Sequence, residues 1–132
     1  MKAQKTILAI VCVTVLWAIM DFIAHGHLLM SAYEATAQLW RPQAEMNHVV
    51  QLVATLVFST LYVLFYLIVS QVRTLAQGFK FGVCYGLISG FCMLSMTMYM
   101  PIPMNIGAAW FFICLVESIL AGALMGYITK EA

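Results

Sequence analysis

Charge is what this chain has least of. Six Lys+Arg and five Asp+Glu among 132 residues amount to 8%, with a net charge of +1. A soluble domain carries about 25% charged residues, so a water-soluble globule is excluded. The near balance of signs offers nothing to nucleic acid. Four cysteines, Cys12, Cys84, Cys92 and Cys114, form no Cys-x-x-Cys pair, which removes thiol–disulfide exchange and zinc-ribbon chemistry. They read as small buried apolar residues. Phosphate-binding loops, nucleophile elbows and zinc-protease motifs are also missing, so no sequence signal supports an enzyme. Nor is there the ten-residue alternation of a membrane β-strand.

What remains is apolar. The chain is 64% hydrophobic, carries 10 Met and has a mean hydropathy of +0.99, which also excludes disorder. A spanning helix needs about 20 mostly apolar residues, and four such runs fit, at about 6–30, 48–70, 78–100 and 105–128. The expected fold is therefore all-α: a single integral membrane domain built as a four-helix transmembrane bundle. Lys2 and Lys5 precede the first run, but no small-x-small cleavage site follows; Asp21 and His25 stand in its place. A spanning helix is expected there rather than a secretory leader.

Basic residues predict the orientation. Lys2, Lys5, Arg73, Lys80 and Lys130 fall on one side of the four spans and Arg41 alone on the other. That distribution places both termini in the cytoplasm. The connection 31–47 then lies on the outer side, with Tyr33, Trp40 and Arg41 suited to the headgroup level.

Gly78, Gly82, Gly86 and Gly90 recur every four residues on the third span, and Ser118, Gly122 and Gly126 do so on the fourth. Each set occupies one helix face, and small residues let helices approach closely in lipid. Antiparallel pairing of the third and fourth helices is expected, with a homodimer through the glycine face as the competitor.

Ionisable residues inside the spans carry the functional interest. An Asp at a helix centre costs roughly 2.5–3.5 kcal/mol on an insertion scale, so Asp21 and Glu117 are expected to turn inward, where they can approach each other. His25 follows Asp21 by four residues on the same face, and His48 opens the second span behind Glu45. One reading makes Asp21, His25, His48 and Glu117 ligands of a transition metal or haem. Another makes them ionic pairs that hold the helices in register, and a third lines a proton or solute path. Met30, Met46, Met93, Met96, Met98, Met100 and Met104 crowd the outer level, where thioethers suit Cu(I) or simply fill apolar gaps.

The run Asp21, His25, Leu29, Tyr33, Trp40-Arg41-Pro42, with Tyr99-Met100-Pro101-Ile102-Pro103, Trp110 and Glu117, resembles a group of small, uncharacterised four-span bacterial inner-membrane proteins. The resemblance spans most of the chain and implies that Asp21, His25 and Glu117 belong to one feature of the fold. It supplies no substrate or cofactor, and Glu45 and His48 lie outside its pattern. Sequence alone therefore favours a non-catalytic component of the inner membrane, an accessory or assembly subunit. Its expected partners are lipid, other spanning helices or its own copies. A metal- or haem-binding protein and a small oligomeric transporter or channel with an Asp21/Glu117 path stand as alternatives.

Overall fold

The computed structural model describes residues 3–130. Helix α1 runs Ala3–Ile23 and continues through a π-helical turn, Ala24–Leu28, into the short helix α2, Met30–Glu34. Two 3₁₀ turns, Ala37–Leu39 and Gln43–Glu45, lead to α3, His48–Val69; α4 is Leu75–Ser95 and α5 is Met104–Thr129. No strand occurs among the described residues. Among the described residues four helices are long and apolar enough to cross a membrane, at Ala3–Leu28, His48–Val69, Leu75–Met98 and Met104–Thr129. The chain is thus an all-α, multi-pass bundle, with span limits within three residues of those expected. Lys2 lies outside the described residues.

Local chemistry sets the helix starts. The Asn47 side chain accepts from Val49 N–H and Val50 N–H at 3.1 Å each, capping α3. Thr74 Oγ1 accepts from Gln77 N–H at 3.1 Å, capping α4. These bonds satisfy amides that have no partner inside their own helix. Pro101 and Pro103 close off the far end of α4 before α5 begins. Lys5 Nζ donates to Lys130 O at 3.0 Å, so the beginning of α1 and the end of α5 meet at one end, the terminal end. The connection between α1 and α3 closes the other, the far end.

The glycine faces explain the tightest contact. Gly78, Gly82, Gly86 and Gly90 are buried, as are Ser118, Gly122 and Gly126. A Cβ on Gly82 would sit 2.8 Å from Ile119 Cα, and one on Gly122 would sit 2.9 Å from Gly82 Cα. The stripe on α4 therefore meets α5 backbone to backbone. Dispersion between closely packed backbones substitutes in lipid for a hydrophobic driving force.

Helix α1 lies against both α5 and α3. The terminal half is filled by Val13, Tyr62, Val63, Tyr66, Phe81 and Met125, and the Tyr62 ring packs edge-on against Phe81, Tyr85 and Trp17. The far half differs. A second cluster, Ile102, Ile106 and Trp110, packs with Tyr33 and Trp40 of the connection, which folds back onto the bundle end. Residues 41–53, including the start of α3, are all exposed. Helix α3 thus stands away from its neighbours at that end.

Gly82→Val is expected to destabilise the protein in detergent by about 1–3 kcal/mol, the usual range for overpacking. Gly26→Ala, whose new methyl meets only Phe22 ring carbons at 3.6 and 3.8 Å, should leave the thermal midpoint nearly unchanged. Equal effects of the two substitutions would show that the glycine face does not carry the pairing.

Candidate functional site

Asp21 sits near the end of α1, and His25 within the π-helical turn. That turn reads Ala24-His25-Gly26-His27-Leu28; glycine is a poor helix former and histidine a middling one. Leu29 N–H reaches back to Ala24 O at 2.9 Å, the i to i+5 bond of a π-helix. Leu29 then leaves helical geometry at φ −98°, ψ 0°, and α2 sets off on a new course. Eight residues of straight helix rise about 12 Å. The break instead brings Tyr33 against His25, with rings stacked at 6.0 Å between centroids and Tyr33 Oη 2.6 Å from His25 Nδ1.

Tyr33 is the hub of the far end. Trp110 Nε1–H of α5 donates to Tyr33 Oη at 2.8 Å, and Trp40 Nε1–H donates to Thr36 Oγ1 at 2.8 Å. The Trp40 ring lies edge-on to Tyr33 and Trp110. With Trp110 donating to its oxygen, Tyr33 directs its own proton at His25 Nδ1. His25 then carries its proton on Nε2, which faces Asp21 Oδ1 at 3.8 Å. The neighbours assign this tautomer. That spacing is wider than a hydrogen bond.

Asp21 also reaches across to α5, where its carboxyl interacts directly with that of Glu117. Glu117 Oε1 is buried and makes no hydrogen bond. Trp17 Nε1–H donates to the Glu117 carbonyl at 3.2 Å, and Tyr62 Oη–H to the Ser118 carbonyl at 2.6 Å. Thr14 and Ser59 share a hydroxyl hydrogen bond between α1 and α3. Polar ties from α1 and α3 thus fix the stretch of α5 that presents Glu117. The result is one chain of polar groups, Glu117–Asp21–His25–Tyr33–Trp110, from the interior of the bundle to its far end.

Beside this chain lies a cavity of about 470 Å³. Asp21, His25, His27 and His48 all line it, with Gln43, Gln51 and Thr55 among its other polar groups. A second cavity of about 740 Å³ shares His25, Met30, Tyr33, Gln43 and Met46 with the first and adds Arg41, Met93 and Trp110.

The four-ligand metal set expected from the sequence is not assembled in this arrangement. Asp21 meets both His25 and Glu117, while His48 is exposed at the start of α3, which stands away from α1 and α5. Among the described residues, no three His, Cys, Asp or Glu side chains come together closely enough to hold a metal ion. The methionines separate as well: Met30, Met46 and Met93 line the second cavity, whereas Met98 and Met104 are 79% and 65% exposed. Cys12, Cys84, Cys92 and Cys114 are free thiols. The Tyr33 hub has one local signal in the sequence, the glycine between two histidines where the first helix should end. No protein-family model, curated protein or solved structure matches the chain.

Burial pushes the Tyr33 hydroxyl above the usual tyrosine range, so in the folded protein Tyr33 should remain protonated past pH of about 10. Its contribution to stability is complete below that pH and is lost as pH rises through the folded-state value. Ultraviolet difference titration of wild type against Tyr33→Phe checks this. Ionisation of Tyr33 at the ordinary pH would contradict it. The substitution itself strands the Trp110 N–H and should cost about 1–3 kcal/mol of stability.

Proposed function

We propose that this is a small, non-catalytic transport protein of a bacterial cytoplasmic membrane, with both termini inside, in which Asp21 and Glu117 handle a proton on a path through the bundle. The carrying observation is the contact between the two carboxyls, made from different helices in the interior of the bundle and continued by His25 and Tyr33 to the far end. Ionisable side chains within spanning helices face the bundle interior or a cavity and mark proton relays and solute pathways. A protonated carboxyl can donate to a neighbouring carboxyl whereas an ionised carboxylate only accepts, so a facing pair of acids is suited to holding one proton. A proton arriving from the far end would pass Tyr33 and His25 to reach that pair.

The five-to-one bias of basic residues supports the orientation. It is consistent with Lys5 and Lys130 meeting at one end of the bundle. A second reading, an accessory subunit of a larger membrane complex, is favoured by a different observation. Among the described residues, the long connection between α1 and α3 is folded onto the bundle through Tyr33, Trp40 and Trp110. Partners of such a protein would be other spanning helices, its own copies or lipid.

Proteoliposomes under an imposed pH gradient test the first reading. Wild type should dissipate the gradient, and Asp21→Asn or Glu117→Gln should slow this by about a hundredfold, as for loss of a positioned proton-transfer group. A rate equal to that of empty liposomes, or one unchanged in both variants, would overturn the transport reading. A C-terminal fluorescent-protein fusion should be bright and an alkaline-phosphatase fusion inactive if the termini are cytoplasmic.

A further inference from the structure

We propose that the cavity between α1 and α3 is a binding site for a lipophilic organic cation, a quaternary ammonium or phosphonium whose charge is taken by Asp21. This names the substrate class for the transport reading above and rests on it for its physiological meaning, though not for its test.

Three observations converge. The first is size and access. A volume of about 470 Å³ lies within the range of small-molecule sites, and the exposed start of α3 leaves its flank open. If the bundle spans a bilayer, a ligand dissolved in the acyl layer reaches this cavity from the side without crossing water.

The second observation is charge. Asp21 is the sole formally charged residue in the lining, and Glu117 stands directly behind it. His25, His27, His48 and Tyr33 complete its polar wall. No lysine or arginine lines it. An anion, such as a phosphate headgroup, would therefore meet an acidic floor, with Arg41 lining only the adjoining second cavity. A cation meets the opposite.

The third observation is the kind of wall. Most of the lining is apolar, and the Phe22 and Tyr33 rings contribute to it. Ring faces attract organic cations through their quadrupole. On the His25 side of Asp21 the contact is 3.8 Å long, so a cation head arriving there would displace no hydrogen bond.

The test is equilibrium binding of tetraphenylphosphonium to the full chain in nanodiscs of zwitterionic lipid, beside tetraphenylborate, its anion of nearly the same shape. The cation should bind saturably and the anion should not. Asp21→Asn should weaken cation binding by about tenfold or more, equivalent to about 1.4 kcal/mol. Thr55→Trp, which fills the cavity from α3 and leaves the carboxyl pair alone, should weaken it independently. Equal binding of both ions, or cation binding unchanged in both variants, overturns the proposal. So does binding of a neutral quinone with none of the cation. Cation binding without proton flux would uphold this site and overturn the transport reading; proton flux without cation binding would do the reverse.

Discussion

An ionisable side chain inside hydrocarbon must find a partner within the protein, because neither water nor lipid tails can satisfy it. The chain has two carboxyls deep in its apolar spans, Asp21 in the first and Glu117 in the last, and they answer this demand with each other. That one contact fixes how α1 and α5 face. It also determines what lies around it: Trp17 and Tyr62 donate to adjacent α5 carbonyls, and His25 is presented on the far side of Asp21. Removing Asp21 would leave Glu117, whose Oε1 is buried without a hydrogen bond, without its counterpart.

The second constraint is the backbone contact of α4 with α5. Glycines at every fourth residue of α4 let α5 settle against it with no side chain between them. This pair is the rigid half of the molecule. Against it, α1 and the terminal half of α3 pack through Val13, Tyr62, Val63 and Tyr66. Helix α3 has no such company at the far end, and the cavities open there. The far end is held by a different device, in which Tyr33 joins His25 to Trp110 and fastens the connection to α5.

Much of this architecture could be read directly. Four apolar runs specify four helices because a spanning segment has a minimum length, and the glycine periodicity points to a helix face. The inward turn of Asp21 and Glu117 followed from the cost of exposing them to lipid. The far end was less legible, for a physical reason. The π-helical turn at Ala24–Leu28 changes the register of all that follows, so His25 and Tyr33 meet at a spacing that straight-helix periodicity does not pair. Trp110 joins them across 77 residues of sequence, and no local pattern encodes such a contact. His48 could be drawn into a ligand set because it opens a helix at a similar level. The separation of α3 from the bundle at that end, which leaves His48 apart, depends on packing that a one-dimensional pattern does not contain.

The meeting of Asp21 with Glu117 can be measured directly by cross-linking. In a background with Cys12, Cys84, Cys92 and Cys114 replaced by alanine, Asp21→Cys combined with Glu117→Cys should form an intramolecular disulfide on mild oxidation in membranes. Phe22→Cys with Glu117→Cys should not, since Phe22 is 66% exposed. Failure of the first pair to cross-link, or a disulfide formed only between two molecules, would contradict the account.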